Sequence, residues 1–313
     1  MMQSGTTFAK HNTEQPLLVG IDGGGSHCRL RLTTLSGDIL AETCSGPANL
    51  GLGKQRVQAA IMQALQQALS QAGLTNMAVA RLHVVAGLAG AHLPVLRQQA
   101  SDWQLPFASW SVTTDLHTAC LGAHAGADGA VIILGTGFSA IALRQRQQQE
   151  RLIGGYGFPI NASCSGAGLG LEAIKAVLLA MDGVGESTLL VAMLEQTLGA
   201  TGYPLAELFL SASPAFYAQL APLVFAAAAQ QDAVAMAILQ QGAAFIDQVA
   251  EQLQQAGHVP LCLLGGVAVA IVPWLNTETR ATLVTPAASA LDGACWLARE
   301  QVNLAQLTKE QCG

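Results

Sequence analysis

Two glycine-rich segments are the parts of this sequence best suited to chemistry. Asp22-Gly23-Gly24-Gly25-Ser26 follows the apolar run LLVGI, and Gly135-Thr136-Gly137 follows VIIL. Glycines let the backbone approach a ligand closely and turn its N–H groups towards an anion. A carboxylate at the end of a strand, such as Asp22, can hold a cation that neutralises the same anion. The pattern indicates a polyphosphate site, although a plain hairpin turn explains the first segment equally well.

The residues around the second segment argue against the two common nucleotide-binding motifs. With Ala140 the segment matches the G-x-G-x-x-A fingerprint, which requires a helix immediately afterwards. The residues that follow, SAIALRQR, alternate as a strand does, and no G-x-x-x-x-G-K-[ST] motif occurs in the chain. We therefore expect two glycine turns that face each other across a cleft and hold a polyphosphate from both sides.

Two further strand ends carry candidate site residues. Asp115 ends one predicted strand and begins the helix LHTACLGAHAG. Asp is a favoured N-cap residue, and a carboxylate at this place can also act as a general base at the floor of the cleft. Gly265-Gly266 follows LCLL, where the backbone can approach a flat ring, although a structural turn explains it nearly as well.

Histidine and cysteine residues offer weaker candidates. His117, Cys120 and His124 have a spacing that permits metal ligation, but no clustered carboxylate or thiol completes a site. A packed helix face is therefore the favoured interpretation. Cys164 has no base near it in the sequence to activate it as a nucleophile, so we expect a small buried residue.

Composition limits the class of protein. The 313 residues suffice for about two domains of ~150 residues each, and 51% are hydrophobic while only 11% are charged, which favours a compact α/β protein. The formal net charge of −6 and the absence of a basic stripe argue against a nucleic-acid partner. Seven cysteines without a C-x-x-C pair, and a polar start without an apolar signal core, predict a soluble cytoplasmic protein with reduced thiols.

The mean hydropathy of +0.40 raises the question of a membrane span. The longest charge-free stretch, residues 259–277, is interrupted by Gly265-Gly266 and Pro273. Because a spanning helix needs ~20 predominantly apolar residues, we expect a buried strand, a turn and a helix there, and no membrane partner.

Hydrophobic periodicity predicts a strand–turn–strand unit near the start of each half of the chain. Residues 1–16 are expected to form a loose tail, and the arrangement that begins at Leu17 returns about 110 residues later, which suggests a duplicated architecture. The predicted strands further include 82–85, 110–113 and 151–153, and the predicted helices are 55–72, 169–179, 188–198, 214–230, 233–255 and about 289–305.

Seven segments of the chain form a recognisable set: GIDGGGSHCRLRL, SGPANLGLG, TTDLHTACLGAHAG, GAVIILGTGFSAIAL, GGYGFPI, CLLGG and ALDGACWLA. In this order and spacing they resemble the acetate and sugar kinase, Hsp70 and actin superfamily. Within it the chain resembles the BadF/BadG/BcrA/BcrD-type group, which includes N-acetylglucosamine kinase and bacterial glucosamine kinase. The resemblance covers residues 18–298 and implies an α/β, duplicated ribonuclease H-like fold of two lobes with a cleft between them. The implied domains are 17–117, 118–288 and a C-terminal helix, 289–313, that packs back towards the N-terminal lobe.

The resemblance also implies roles for the candidate residues. Asp22 would orient Mg²⁺ through water, and Gly23, Gly24, Gly25 and Ser26 would cradle the β- and γ-phosphates of ATP. Gly135, Thr136 and Gly137 would form the second phosphate loop, and Gly265 and Gly266 would lie against the adenosine. Asn49 and Gly155 would bind the sugar, and Asp115 would be the general base on the attacking sugar hydroxyl.

Three positions depart from the family pattern. Phe138 replaces a small polar residue that the resemblance places near the sugar, and Ala162 replaces an acidic residue of the sugar site. Ser26 replaces the usual threonine of the first phosphate loop. The first two departures put the identity of the sugar in question.

The leading hypothesis is an ATP-dependent kinase that acts on the 6-hydroxyl of N-acetylglucosamine or glucosamine. One alternative is an ATP-binding sugar sensor without kinase activity. Another is an ATP-driven activator of a CoA-ester reductase, for which Cys164 lies in a faintly similar sequence context. A homodimer is usual among relatives, and the apolar helices between residues 188 and 255 offer a surface for it.

Overall fold

The computed structural model describes residues 15–312, without the side chains of residues 146 and 309–312. It contains two compact units, one that ends at Gly122 and resumes at Ala288, and one that comprises Ala123–Ala287. The predicted tail lies, up to residue 14, outside the described residues. The domain limits inferred from the resemblance stay a prediction.

Nine strands and twelve α-helices form the described chain. The strands are β1 Leu17–Gly23, β2 Cys28–Thr34, β3 Ile39–Ser45, β4 Leu82–Leu88, β5 Ser109–Thr114, β6 Gly129–Leu134, β7 Phe138–Arg144, β8 Gln149–Gly154 and β9 Leu261–Leu264. The helices are α1 Lys54–Gln71, α2 Pro94–Ser101, α3 Asp115–Ala123, α4 Gly166–Met181, α5 Leu190–Leu198, α6 Gly202–Phe209, α7 Pro214–Ala218, α8 Ala221–Ala229, α9 Ala233–Gln254, α10 Ala268–Ile271, α11 Thr277–Thr282 and α12 Ala290–Cys312.

The first unit is built on a five-stranded sheet in the order β3-β2-β1-β4-β5. β1, β4 and β5 run parallel, whereas β2 is antiparallel to both β1 and β3. The run LLVGI in β1 is apolar throughout because both faces of the sheet are covered. Val19 packs in one core cluster with Ile61 of α1, and Leu18 packs in another with Ala298 and Val302 of α12. The carboxyl ends of the three parallel strands therefore meet at one edge.

The second unit repeats this plan around a four-stranded sheet in the order β8-β7-β6-β9. β6 and β9 are parallel, and β7 is antiparallel to both β6 and β8. α9 is long and apolar enough to cross a membrane by length and composition. We interpret it as a core helix, because Leu239, Ile246 and Leu253 are fully buried in the core of this unit.

Several predicted elements are corrected. β7 confirms a strand after the second glycine turn, but the helix predicted over 214–230 is two helices, α7 and α8. Pro222 stands in the first turn of α8 and has no N–H with which a continuous helix would bond to Ala218. α6 contains Gly202 and Pro204, which by themselves indicate a loop, and α12 continues past residue 305 to Cys312.

Candidate active site

Two carboxylates stand at the carboxyl edge of the parallel strands in the first unit. Asp22 is the penultimate residue of β1, and Asp115 follows β5 directly. β4 lies between β1 and β5, and the residues after it, up to His92, are at the same edge. Ligands of open α/β sheets bind outside the carboxyl ends of the strands, so this edge is the place to look for a site.

The first glycine loop is a tight hairpin of which only part is open. The Gly24 N–H donates to the His27 carbonyl at 2.8 Å, so the turn itself uses this donor. A Cβ on Gly23 would lie 2.6 Å from Leu88 Cδ2, whereas one on Gly25 would meet nothing within 4 Å. Gly23 is thus required for packing, and the exposed Gly25 and Ser26 form the open part of the loop.

The Asp22 carboxylate is partly buried and has one cationic neighbour. Its side chain is 23% exposed, and Arg29 Nη1 lies 3.9 Å from its Oδ2. Burial raises the pKa of Asp22, and the positive charge of Arg29 lowers it. A partly desolvated carboxylate at the strand end fits a hydrated Mg²⁺, which keeps several of its waters and takes one or two carboxylates from the protein.

Asp115 begins α3 without capping it. The side-chain hydroxyl of Thr114 accepts the N–H of His117 at 2.9 Å, which is the N-cap bond, while Asp115 Oδ1 accepts the adjacent Leu116 N–H at 2.9 Å. The N-cap interpretation of Asp115 is therefore wrong, and Oδ2 takes no part in these bonds. Burial is the largest influence on the Asp115 carboxyl and raises its pKa.

Neighbouring charges also act on Asp115. The Leu116 hydrogen bond lowers the pKa of Asp115, the negative charge of Asp22 raises it, and His92 lowers it. The two carboxylates are thus electrostatic neighbours at one edge. His92 is exposed and was not predicted as a site residue, although the glycine turn AGAH after the buried strand β4 is a signal of the same kind as the other two.

A close contact between α3 and β4 determines how near Asp115 lies to the sheet. The Thr118 hydroxyl donates to the Asp115 carbonyl at 3.0 Å. A Cβ on Gly87 would lie 2.3 Å from Thr118 Oγ1 and 2.8 Å from its Cγ2. Glycine at position 87 therefore permits the first turn of α3 to pack directly on β4.

Asn49 is held at the same edge by the oxygen of its side-chain amide. Its Oδ1 accepts the Gly51 N–H at 2.8 Å and thereby caps a short 3-10 helix, Leu50–Leu52. The Leu50 N–H donates to the carbonyl of Ala89, which follows β4, at 2.9 Å. Because Oδ1 is the acceptor in the cap, the amide orientation follows, and the Nδ2 donors are those that can reach a sugar hydroxyl.

In the second unit, the second glycine turn borders a cavity of about 680 Å³. Gly135 and Thr136 line it at one end, together with Gly166 at the start of α4 and Gly266 after β9. The remaining lining residues are apolar and come from α7, α8 and the segment after β9: Ala218, Ala221, Pro222, Phe225, Val267 and Ala270. Its volume falls within the 300–1,000 Å³ usual for small-molecule sites.

The two glycines after β9 have different roles. Gly265 has φ +99°, and a Cβ there would lie 2.4 Å from the Leu134 carbonyl oxygen, so this residue packs against the end of β6. Gly266 is open, since a Cβ would meet nothing within 4 Å, and it lines the cavity. The second residue of the pair is therefore the one placed to meet a ligand.

The residues that depart from the family pattern lie mainly inside the second unit. Phe138 is 3% exposed and packs edge-on against Phe245, with ring centroids 4.8 Å apart. The resemblance places this position near the sugar, and the ring of Phe138 points into the core of the second unit. Ala162 is also buried, and Gly155, at φ +80°, donates its N–H to the Phe138 carbonyl at 3.1 Å.

The cysteine and histidine candidates serve the packing of each unit. Burial raises the pKa of the Cys164 thiol to about 12, and a Cβ on Gly242 would lie 3.0 Å from its Sγ. His124 Nε2 hydrogen-bonds to the Ala130 carbonyl at 2.9 Å, and Cys120 is fully buried. Within residues 15–312 no group of three or more His, Cys, Asp or Glu side chains is placed to hold a metal. Cys164 gives no support to the activator alternative.

Comparison with known proteins identifies the family. The sequence model of the BadF/BadG/BcrA/BcrD ATPase family matches residues 19–294. The chain belongs to this family. A glucosamine kinase of Vibrio cholerae is 36% identical over 280 residues, which are 90% of this family member and 95% of that protein. The resemblance inferred from the seven sequence segments is thereby confirmed.

Solved structures confirm the fold of this BadF/BadG/BcrA/BcrD ATPase family member. A proposed N-acetylglucosamine kinase of Chromobacterium violaceum matches it with a TM-score of 0.83 at 32% identity, over 91% of this chain and 99% of that one. A second proposed N-acetylglucosamine kinase, from Porphyromonas gingivalis, matches with a TM-score of 0.64 at 17% identity, over 91% and 99% of the two chains. The predicted α/β class, with an actin-like ATPase fold, is therefore confirmed.

Proposed function

We propose that this protein is an ATP-dependent hexosamine kinase that transfers the γ-phosphate to the 6-hydroxyl of N-acetylglucosamine or glucosamine. The observation that carries the proposal is the pair of neighbouring carboxylates, Asp22 and Asp115, at the carboxyl edge of the first unit's parallel strands. Membership of the ATPase family and the 36% identity to a glucosamine kinase support it.

Asp115 acts as the general base. Its carboxylate accepts the proton of the 6-hydroxyl while that oxygen forms a bond to the γ-phosphorus, and the bond from phosphorus to the bridging oxygen breaks to release ADP. Phosphoryl transfer needs positioning and charge neutralisation more than covalent chemistry from the protein. Burial, which raises the pKa of Asp115, makes the carboxylate a stronger base than one in water.

The other site residues bind and position the two substrates. Asn49 donates from Nδ2 to sugar hydroxyls, and Gly155 contributes backbone to the same substrate. Gly25 and Ser26 bind phosphate oxygens, since they are the open part of the first loop. A magnesium ion held through water by Asp22 would supply neutralising charge on the phosphates.

The nucleotide belongs to the second unit. Its cavity joins the glycine turn at Gly135 and Thr136 to Gly266, so phosphates at one end and a nucleoside against the apolar wall fit a single site. The Gly135 N–H donates to the Gly137 carbonyl at 3.1 Å, and this bond leaves the N–H groups of Thr136 and Gly137 available to phosphate. Asp115, Asn49 and the first glycine loop belong to the first unit, whereas Gly155 and this cavity belong to the second.

The thiols and the exposed apolar side chains support two further parts of the proposal, the cytoplasmic location and the homodimer. The six cysteines whose side chains the structure describes are not in disulfides, which suits the reducing cytoplasm. Leu189, Tyr203, Leu208 and Leu210 of the second unit are 42–88% exposed. Large exposed apolar side chains are common at protein interfaces, and we infer that this part of the second unit contributes to a homodimer.

Replacing Asp115 by Asn tests the proposal. We expect kcat for amino-sugar phosphorylation to fall by about 10²–10⁴, with nucleotide binding, measured by the thermal shift with Mg·ATP, unchanged. Asp102→Asn, which alters an exposed carboxylate of the same unit, serves as the matched control and should retain full activity. ADP release is measured with N-acetylglucosamine, glucosamine, glucose and N-acetylmannosamine. Wild-type turnover in Asp115→Asn, or no turnover of the native enzyme with either amino sugar, would contradict the proposal.

A further inference from the structure

The wall of the nucleotide cavity consists mainly of apolar side chains. Of the described residues that line the cavity, Thr136 is the one with a polar side chain, and it belongs to the glycine turn at the phosphate end. The wall where a base would lie is formed by Ala218, Ala221, Pro222, Phe225 and Ala270. These side chains offer van der Waals contact and a stacking ring, and they carry neither a hydrogen-bond donor nor an acceptor.

Two backbone donors at the cavity are already used within the protein. The Gly166 N–H donates to the Gly135 carbonyl at 2.7 Å, and the Val267 N–H donates to the Leu134 carbonyl at 3.0 Å. Pro222 has no N–H at all. A base in this cavity therefore meets no donor at these three positions that could select the acceptor nitrogen N1 of adenine over the N1–H of guanine.

We propose that this enzyme accepts the purine by shape and stacking alone, so that GTP and ITP serve as phosphate donors together with ATP. The inference rests on the proposed function, because it takes this cavity to be the donor site. The cavity of about 680 Å³ is large enough for either purine.

The expected selectivity follows from the chemistry of the wall. Sites that hydrogen-bond a distinguishing group reject analogues by roughly 10⁴–10⁵, whereas apolar pockets discriminate by roughly 10–200-fold. We therefore expect kcat/KM for GTP and for ITP to lie within about 100-fold of that for ATP. Adenine and guanine present opposite donors and acceptors at positions 1 and 6. A comparison of ATP with GTP therefore distinguishes a hydrogen-bonding base site from an apolar pocket.

Steady-state phosphorylation with ATP, GTP and ITP at saturating amino sugar measures this ratio. A preference for ATP of more than about 100-fold over GTP overturns the inference, since it requires a hydrogen-bonded base. In parallel, isothermal titration of the enzyme with AMPPNP and with GMPPNP, without sugar, measures the same preference independently of turnover. If neither analogue binds, the assignment of the cavity to a nucleotide fails as a whole, which is distinguishable from selective binding of AMPPNP.

A pair of variants shows whether both bases use the same wall. Ala270→Trp fills the apolar end of the cavity and should weaken AMPPNP and GMPPNP by the same factor. Val269→Trp is the matched control, because Val269 is 86% exposed and is not a lining residue. Loss of AMPPNP binding with GMPPNP binding retained would overturn the inference. Circular dichroism and the thermal midpoint establish that both variants are folded.

Discussion

Gly87 permits the close packing that positions the proposed base, and replacing it by Ala tests this relationship. The added Cβ would lie 2.3 Å from Thr118 Oγ1, about 1 Å short of the 3.4 Å at which ordinary contacts begin. Rotation of Thr118 does not relieve the clash, because its Cγ2 and Cβ would lie 2.8 and 3.1 Å away. The first turn of α3 must therefore move away from β4.

The size of the effect follows from this displacement. Overpacking of a core contact costs about 1–3 kcal/mol, which lowers the thermal midpoint of a domain of this size by about 2–4 °C per kcal/mol. The Thr118 hydroxyl bonds to the Asp115 carbonyl, so a shift of about 1 Å is transmitted to the base. Misplacement by this distance reduces turnover by about 10²-fold. We expect kcat to fall by this factor and the KM for ATP to change little.

The assay combines thermal unfolding with steady-state kinetics. Gly46→Ala is the control, since a Cβ there would meet nothing within 4 Å, and it should change neither quantity. The double variant Gly87→Ala/Thr118→Ala removes two of the three contacts and should recover part of kcat. If Gly87→Ala lowers the thermal midpoint but leaves kcat at the native value, the packing of α3 on β4 does not position Asp115.

Two further variants test the cap of α9 and the sugar amide. Burial raises the pKa of Asp232, but hydrogen bonds from Ala235, Leu189 and Thr188 hold it below its ordinary value of 3.8. Asp232→Ala should therefore lower the free energy of unfolding by about 2–4 kcal/mol at neutral pH. This difference from the native protein disappears as the pH falls from about 4 through the depressed pKa. An unchanged urea midpoint at pH 7 would contradict the expectation. Asn49→Asp keeps the cap oxygen but loses the Nδ2 donors, so the KM for the sugar should rise about 10–100-fold with the KM for ATP unchanged, and an unaltered sugar KM would exclude Asn49 from the site.

Strand ends and glycine turns were predictable because they depend on local chemistry. The apolar run before Asp22 and the alternation after Gly137 indicate strands, and both are observed as β1 and β7. Asp115 was correctly placed between a strand and a helix. Its supposed capping role was wrong, because Thr114 is one residue earlier and offers a better-placed oxygen, a choice that depends on local geometry rather than residue type.

The surroundings of the site were not predictable in the same way. Phe138 follows a glycine turn, and the sequence does not show which way its side chain points; in β7 its ring is directed inward against Phe245. Gly87 and Thr118 are 31 positions apart, and nothing in either local sequence shows that α3 approaches β4 at this point. Contacts of this kind depend on how helices pack on the sheet.

The sequence by itself determined the family, the α/β class and the positions of the glycine turns, because these depend on motifs and on the period of the hydrophobic pattern. Tertiary structure alone decided which groups surround them. The cavity wall from Ala218 to Phe225 is about 80 residues from Gly135 in the chain and consists of residue types that carry no chemical signal. Packing of α7 and α8 brings that wall to the turn, and burial at the sheet edge raises the pKa of Asp115. Both are consequences of long-range packing, which no local pattern encodes.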